Sequence, residues 1–303
     1  MTVNKKIKGY IATIVATVLW GASFVWTNQL FLECNFPGVT LILFRLAIAF
    51  VLMFSFFSIT KKLDKVKKKD WKIFIALAVF QPFLYFIGET YGIKYIGDAS
   101  FAAVMIALIP ISVPLMIALF YKNKVKPLLV IGAVISVIGV VIMSMNISGG
   151  NISLKGVLFL VEAIITACMY NVILRKLLSK GYGAITITTY QNMIATILYI
   201  PMFFIMEYKD FSSIQWSFTA VFNILALAVL CSSVAYVCYS YGASIISVEK
   251  EAVFNNAIPV VTIIFSILIG QEVFSIRKVL GMLVVLIGLM ISQSDILLKK
   301  NKL

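Results

Sequence analysis

The sequence predicts an all-α integral membrane protein with ten transmembrane helices, arranged as two inverted five-helix repeats. Three observations lead to this fold class. The chain is 62% hydrophobic and only 13% charged over 303 residues, which is too little charge to cover the surface of a soluble protein. The basic residues cluster between long apolar runs, and a pattern of prolines and glycines recurs in the second half of the chain.

Apolar runs of about 20 residues, the length that crosses a hydrocarbon core of roughly 30 Å, define the predicted spans. Turns with helix breakers separate them, as in Asn35-Phe36-Pro37-Gly38 and Gly181-Tyr182-Gly183. The first run is too long for a signal-peptide core and lacks a small-residue cleavage site, so it is interpreted as the first helix. The predicted spans are residues 9–31, 37–60, 71–93, 97–121, 126–146, 154–178, 184–206, 216–243, 248–270 and 276–297.

The lysines and arginines set the orientation of these spans. With the N-terminus in the cytoplasm, 20 of the 26 basic residues fall on the cytoplasmic side and 5 on the outer side, while Arg45 lies within a span. Short cytoplasmic loops carry such an excess of positive charge. The net charge of +14 is therefore interpreted as a topology signal. We expect the protein to lie in a lipid bilayer and not to bind nucleic acid. We expect a multi-pass protein of the cytoplasmic membrane with both termini, including the tail 298–303, inside.

Four landmarks recur without a gap, 149 residues apart. Ile109-Pro110 returns as Ile258-Pro259, Gly132 as Gly281 and Gly139 as Gly288. The stretch 38–45 also aligns weakly with 184–191, at an offset of 146. The sequence therefore predicts one repeat over 1–146 and a second over 154–297. Five helices is an odd number, so the second repeat must insert upside down, and its 270–275 turn lacks the lysines of 121–126. Inverted repeats are typical of secondary transporters, with the substrate site near the midplane.

Four short motifs, in order along the whole chain, carry a family resemblance. They are Trp20-Gly21-Ala22-Ser23-Phe24, Phe44-Arg45-Leu46-Ala47-Ile48-Ala49, the turn Tyr91-Gly92-Ile93-Lys94-Tyr95-Ile96 before Ile109-Pro110, and Gly270-Gln271-Glu272 before Gly281 and Gly288. The chain resembles the drug/metabolite transporter superfamily and, within it, the EamA-type permeases. The resemblance implies a ten-helix transporter that exports or exchanges small metabolites through a cavity open alternately to each side. One departure is the turn after helix 4, where the family often has a glutamate and this chain has Tyr121-Lys122-Asn123-Lys124.

Arg45 and Glu162 are charged residues at similar predicted depth in the membrane. Each lies eight residues into its helix from the outer side, which is about 12 Å at 1.5 Å per residue. A charge at the bilayer centre costs at least about 2.5–3.5 kcal/mol, so each is a candidate functional residue. Arg45 has the donors to bind a substrate carboxylate or phosphate, with Glu162 as a further substrate contact. The alternatives are a structural Arg45–Glu162 pair, or an Arg45 side chain that extends to the outer headgroups.

Glu89 and Glu162 are the candidates for coupling transport to protons. The chain contains no histidine, so the imidazole that most often carries protons is missing. A desolvated carboxylate can serve instead. The alternative for Glu89 is an interfacial ion pair with Lys94, one helical turn further along.

Pro110 and Pro259 lie near the middle of their predicted helices. Each leaves the carbonyl four residues earlier without its helical partner, at Ile106 and at Asn255. Free backbone groups at this depth are tolerated where they line a wet cavity, so we expect a central cavity; the alternative is a pair of kinks without function. Further candidates for its wall, each with packing as the alternative, are Trp20, Tyr85, Tyr170, Asn171, Gln191, Asn192, Tyr236, Tyr239 and Asn256.

The recurring glycines let two helix backbones approach closely. They suit either a scaffold contact within the chain or the face of a homodimer. Three of the four cysteines, Cys168, Cys231 and Cys238, fall in apolar runs and are interpreted as packing residues, and no cofactor or metal is expected.

Together these features favour a secondary transporter of small polar metabolites such as amino acids. One alternative is a membrane-embedded enzyme, although the sequence has no G-x-S-x-G or H-E-x-x-H motif. Another is a channel or a lipid-translocating protein.

Overall fold

The computed structural model describes residues 3–112, 127–144, 153–246 and 254–298, and their regular secondary structure is helical. Pro114, the 121–126 turn and residues 299–303 of the predicted tail lie outside the described residues. The helical segments in order are α1 (Val3–Cys34), α2 (Gly38–Ile59), α3 (Lys68–Ile96), α4 (Ala99–Ser112), α5 (Pro127–Ser144), α6 (Leu154–Ser179), α7 (Ala184–Glu207), α8 (Phe218–Ile246), α9 (Asn255–Leu268) and α10 (Ile276–Leu298).

Six of these helices are long and apolar enough to cross a membrane: α1, α2, α3, α6, α7 and α8. Helices α4, α5 and α9 are shorter and also apolar. Inside a bilayer a helix satisfies its own backbone groups, and polar side chains such as Thr13 and Thr17 donate to the carbonyl one turn earlier. The prediction of an all-α, multi-pass membrane protein is confirmed, while the count of ten spans and their inversion stay predictions.

Side-chain caps and glycines fix several helix ends. Asp98, Ser153 and Ser217 each accept a hydrogen bond from a backbone N–H in the first turn of α4, α6 and α8, which satisfies an otherwise unpaired donor. Gly97 ends α3 with a φ of +69°, a left-handed conformation that suits glycine. The turn between α3 and α4 is therefore short, and it places Asp98 directly beside the end of α3.

Helix packing follows a symmetric pattern. Helix α3 packs against α6, and α1 packs against α8. Helix α2 lies against α7, α4 against α9 and α5 against α10. Suppose that the two halves are exchanged, so that α1 takes the place of α6, α2 that of α7, and so on. The α3–α6 contact then becomes the α8–α1 contact. Each of the other three contacts pairs a helix with its own counterpart and is unchanged. These five contacts are therefore symmetric under exchange of the two halves.

The four recurring glycines form the contact between α5 and α10. A Cβ atom on Gly132 would lie 2.4 Å from the carbonyl oxygen of Gly288, and one on Gly139 would lie 2.6 Å from that of Gly281. Real side chains do not reach such distances, so only glycine allows the two antiparallel backbones to meet. Ser136, between the two contacts, donates to the Val285 carbonyl at 3.3 Å. The scaffold interpretation of these glycines is confirmed, and this glycine face is covered within the chain.

Three helices are interrupted, two of them where the sequence predicts it. In α4 the regular α-helix ends at Ile106, before Pro110. In α9 a 3-10 turn over Asn255–Ala257 precedes the α-helix Ile258–Leu268, which has Pro259 in its first turn. The third break is in α3, where Gln81 before Pro82 has φ −152° and ψ 124°. Proline causes this break too, because it cannot donate to the helix and disfavours the α conformation in the preceding residue.

Polar clusters tie the helices together at both ends of α3. At the end near Gly97, Glu272 accepts hydrogen bonds from Ser100 Oγ at 2.6 Å and Lys278 Nζ at 2.8 Å, and Lys278 also pairs with Asp98. At the opposite end, Asp70 accepts from Lys180 Nζ and the Tyr182 hydroxyl, both at 2.8 Å. Each cluster joins a part of the first half to a part of the second.

Candidate functional site

A small cavity lies between the two halves, and helices α1, α2, α3, α4, α6, α8 and α9 contribute to it. Its volume is about 40 Å³, the space of two or three water molecules by the usual size criterion. A metabolite would need a wider cavity than this. The wall consists of Trp20, Ser23, Phe24, Arg45, Gln81, Tyr85, Phe86, Glu89, Ile106, Ile109, Ala167, Tyr170, Asn171, Tyr236, Tyr239, Asn255 and Ile258.

All three interrupted helices meet at this cavity. Ile106 and Ile109 flank the break in α4, Asn255 and Ile258 flank the break in α9, and Gln81 is the break in α3. The two sequence-predicted prolines, Pro110 and Pro259, are buried behind these residues and do not line the wall themselves. The breaks in α3 and α9 thereby bring the amide residues Gln81 and Asn255 to the cavity wall.

Arg45 and Glu89 form the charged part of the wall. Arg45 is 1% exposed and Glu89 is 5% exposed. Arg45 Nε donates to Ser232 Oγ of α8 at 3.0 Å, and its guanidinium carbon lies 4.1 Å from the ring centroid of Phe86. Glu89 Oε1 accepts from the Tyr85 hydroxyl at 3.0 Å. The closest approach of the two charges is 4.0 Å, between Arg45 Nη1 and Glu89 Oε2.

Two ion-pair hypotheses from the sequence are wrong. Arg45 faces Glu89 on α3 and not Glu162, because α2 turns this side chain toward α3 and α8. Glu89 is buried and does not pair with Lys94, which is exposed and lies 5.7 Å from the ring centroid of Phe31. The helical repeat from Glu89 points Lys94 away from the cavity. Arg45 therefore does not extend to the outer headgroups either, since its charged end lies inside the protein.

Aromatic and amide groups form the remainder of the wall. The Trp20 ring centroid lies 5.1 Å from that of Tyr236 and 5.0 Å from that of Tyr239. Gln81 Nε2 donates to the Tyr236 hydroxyl at 2.7 Å, and the Tyr239 hydroxyl donates to Asn171 Oδ1 at 2.7 Å. These hydrogen bonds hold the rings in place, so their faces are presented to the cavity in fixed orientations.

The structure brings most of the candidate residues together. Nine of them line the cavity: Trp20, Arg45, Tyr85, Glu89, Tyr170, Asn171, Tyr236, Tyr239 and Asn255. Besides the two prolines, four others lie outside the wall: Glu162, Gln191, Asn192 and Asn256. Gln191 is completely buried on α7, and neither of its amide atoms has a hydrogen-bond partner within the described residues.

Glu162 lies at the interface of α6 with α3. Its Oε2 atom occupies the space beside Gly88, because a Cβ atom there would lie 2.1 Å from it. The same atom is buried and has no hydrogen-bond partner within the described residues. Glu162 therefore lies beside the residue that precedes Glu89, and it does not line the cavity.

Sequence reasoning missed Gln81, Ser23 and Phe86. Pro82 is the signal for Gln81, since the residue before a proline tends to leave the helix. Phe86 lies three residues before Glu89, and Tyr85 lies four before it, so all three share one face of α3. Ser23 belongs to the motif Trp20-Gly21-Ala22-Ser23-Phe24, but its position in the sequence does not distinguish a cavity residue from a packing residue.

The arrangement can bind both kinds of charged group on a small solute. A guanidinium binds a carboxylate or phosphate through paired donors, a carboxylate binds an ammonium, and aromatic faces bind apolar or cationic groups. In the part of the chain that the structure describes, no group of three or more potential metal ligands is present.

Known proteins similar to this chain are transporters by name. The profile of the EamA-like transporter family matches residues 7–145 and again residues 154–293. An "Uncharacterized transporter" of Archaeoglobus fulgidus is 26% identical over 284 residues, covering 94% of this chain and 98% of that protein. The "Uncharacterized transporter YetK" of Bacillus subtilis is 23% identical over 302 residues, covering 96% and 88%. A solved crystal structure matches 100% of both chains with a TM-score of 0.69 at 14% identity, a likeness of fold alone.

Proposed function

Because the chain belongs to the EamA-like transporter family, we propose that it is a secondary transporter that exports or exchanges small polar metabolites, such as amino acids, across the cytoplasmic membrane by alternating access. The family and the names of its relatives indicate a transporter and not an enzyme. The observation that carries the substrate proposal is the nearly closed cavity in which Arg45 and Glu89 face an aromatic wall.

The helix contacts support an alternating-access mechanism. Five contacts between helices are symmetric under exchange of the two halves, as expected if an inverted repeat can form the same opening on either side. The glycine contact between α5 and α10 supplies a rigid support about which the other helices rock. The breaks in α3, α4 and α9 lie where the helices must bend.

The polar clusters at the two ends of α3 support the same mechanism. The Glu272–Ser100–Lys278 cluster closes one side, and the Asp70–Lys180–Tyr182 cluster closes the other. When both are formed the cavity is nearly closed, as in this structure. Opening to one side requires one cluster to separate while the other stays formed.

The first prediction concerns orientation. A single cysteine at Lys65, which is exposed in the α2–α3 loop, should be protected in intact cells from a membrane-impermeant maleimide. A cysteine at Val273, which is 89% exposed in the α9–α10 loop, should react. Both variants are made in a background whose four cysteines are replaced. Labelling at position 65 and protection at position 273 would contradict the proposed topology, in which both termini are cytoplasmic.

The second prediction tests the cavity as the transport site. Trp20→Leu removes a ring from the wall, and we expect the KM for exchange to rise by about 10-fold, the effect of losing roughly 1.4 kcal/mol of aromatic contact. Trp216→Leu is the matched control. Trp216 lies in the loop just before α8, is 52% exposed and does not line the cavity. Equal KM values for the two variants, measured in proteoliposomes, would remove Trp20 from the site.

The third prediction concerns proton coupling, for which Glu89 and Glu162 are the candidates. The geometry favours Glu162, because Glu89 is engaged by Tyr85 and Arg45 whereas Glu162 Oε2 has no partner among the described residues. A carboxyl group without a partner enters an apolar interface by binding a proton. Glu162→Gln should therefore abolish the response of exchange to an imposed pH gradient.

The control for this experiment is Glu33→Gln, since Glu33 is exposed and bonds only to Gln29 among the described residues. Exchange at equal pH on both sides should stay within about twofold of wild type in both variants, because neither residue lines the cavity. If Glu162→Gln and Glu89→Gln both keep the full response to the gradient, proton coupling through these carboxylates is wrong.

A further inference from the structure

The Arg45 guanidinium is buried with an unused donor. Its Nη1 atom has no hydrogen-bond partner within the described residues, although the side chain is only 1% exposed. Glu89 Oε2 lies 4.0 Å away, whereas charge-assisted N–H···O bonds measure about 2.7–2.9 Å. The two charges therefore attract each other but do not form a hydrogen bond, which is unusual for buried charges.

Separate anchors keep the two charges apart. Arg45 is fixed from α8 by Ser232, at 3.0 Å, and rests on the ring of Phe86. Glu89 is fixed from its own helix by Tyr85, at 3.0 Å. Both charged groups line the same cavity. The arrangement leaves one cationic and one anionic binding position, close together and only partly satisfied by each other.

From this we infer that Arg45 and Glu89 form a divided clamp for an α-amino acid: Arg45 binds the carboxylate and Glu89 binds the ammonium. The inference rests on the proposed transporter function and specifies the substrate of that site. The pair carries no net charge, and neither does a zwitterion, so the occupied site stays neutral inside the protein. A simple acid or a simple amine would leave one buried charge uncompensated, which is strongly unfavourable.

The other side of the cavity indicates which amino acids fit. Among the wall residues that the structure describes, Arg45 and Glu89 are the only charged ones. Trp20, Tyr236 and Tyr239 present rings, and Ile106 and Ile109 present aliphatic groups. Such a surface suits an apolar or aromatic side chain, so the substrate class is the neutral, large amino acids.

Three ligands with the same ring test the clamp in purified wild-type protein: L-phenylalanine, 3-phenylpropionate without the amine, and 2-phenylethylamine without the carboxylate. The measurement is the ligand concentration that gives half-maximal thermal stabilisation. We expect phenylalanine to bind at least about 100-fold more tightly than the other two, since each of these leaves a buried charge unpaired. Equal binding of the acid or the amine would overturn the clamp.

Two substitutions should shift this preference in opposite directions. Glu89→Gln removes the anionic position, so 3-phenylpropionate should gain at least about 10-fold relative to phenylalanine. Arg45→Gln removes the cationic position, so 2-phenylethylamine should gain by a similar factor. Glu33→Gln, an exposed matched control, should leave the order unchanged. A purely structural role would weaken all three ligands equally in both variants, and that result would overturn the inference.

The remaining outcomes separate the clamp from the proposed function. If Arg45→Gln does not fold, the order of affinities of the three ligands in the wild-type protein and its change in Glu89→Gln still test the clamp. If phenylalanine and other neutral amino acids do not bind while another metabolite is exchanged in proteoliposomes, the clamp is wrong and the transporter stands. If no solute of a broad metabolite panel is bound or exchanged, both are wrong.

Discussion

Arg45→Gln is expected to lower the rate of phenylalanine exchange by about 100-fold or more. The glutamine side chain can still reach Ser232, but it lacks the charge and the fork of donors that bind a carboxylate. A hydrogen bond to a charged group is worth about 1.5–3 kcal/mol, and two such bonds would be lost. The measurement is uptake of labelled phenylalanine into proteoliposomes loaded with the unlabelled amino acid.

The matched control for this variant is Arg277→Gln. Arg277 is exposed in the first turn of α10 and does not line the cavity, so its exchange rate should stay within about twofold of wild type. A thermal melt of each purified variant separates loss of function from loss of fold, because removing Arg45 also leaves Glu89 without its opposite charge. A folded Arg45→Gln protein with the exchange rate of the control would remove Arg45 from the transport site.

Gly139→Leu is expected to cause a large loss of stability. The first side-chain atom would already lie 2.6 Å from the carbonyl oxygen of Gly281 and 2.7 Å from the backbone nitrogen of Val285, and these backbone atoms cannot rotate away. Overpacking of this kind costs about 3 kcal/mol or more, which corresponds to a decrease of roughly 6–12 °C in melting temperature for a protein of this size. Fluorescence-detected size-exclusion chromatography after heating measures the change.

Val137→Leu is the control on the same helix. Val137 is 55% exposed on the outer face of α5, so a larger side chain there meets no packed neighbour. Its melting temperature should differ from that of wild type by less than about 2 °C. If Gly139→Leu melts at the same temperature as this control, the close α5–α10 contact does not exist.

The sequence was sufficient for features that depend on a single helix. Proline has no backbone N–H, and its ring clashes with a carbonyl of the preceding helical turn. Pro110 and Pro259 therefore interrupt their helices whatever residues surround them. The same rule applied to Pro82 would have identified Gln81 as a third break and as a residue of the cavity wall. The composition and the length of the apolar runs likewise determine an all-α membrane protein.

Contacts between helices were less predictable. Counting residues gives depth, so Arg45 and Glu162 were placed at the same level, but it does not give the rotation of a helix or its neighbours. The structure turns Arg45 toward Glu89 of α3 and places Glu162 against Gly88 of the same helix. The recurring glycines show the same limit. Their spacing predicts a close helix contact, but only the packing of α5 on α10 shows that the contact lies within one chain.

Counterflow of labelled L-phenylalanine in proteoliposomes tests the central claim, a saturable exchanger whose cavity faces one side at a time. The account predicts that uptake saturates with external concentration, rises when unlabelled phenylalanine is inside, and falls by about 100-fold in Arg45→Gln. Uptake that increases linearly with concentration, ignores the internal amino acid and is the same in Arg45→Gln would contradict it, and would indicate a channel or a lipid-translocating protein instead.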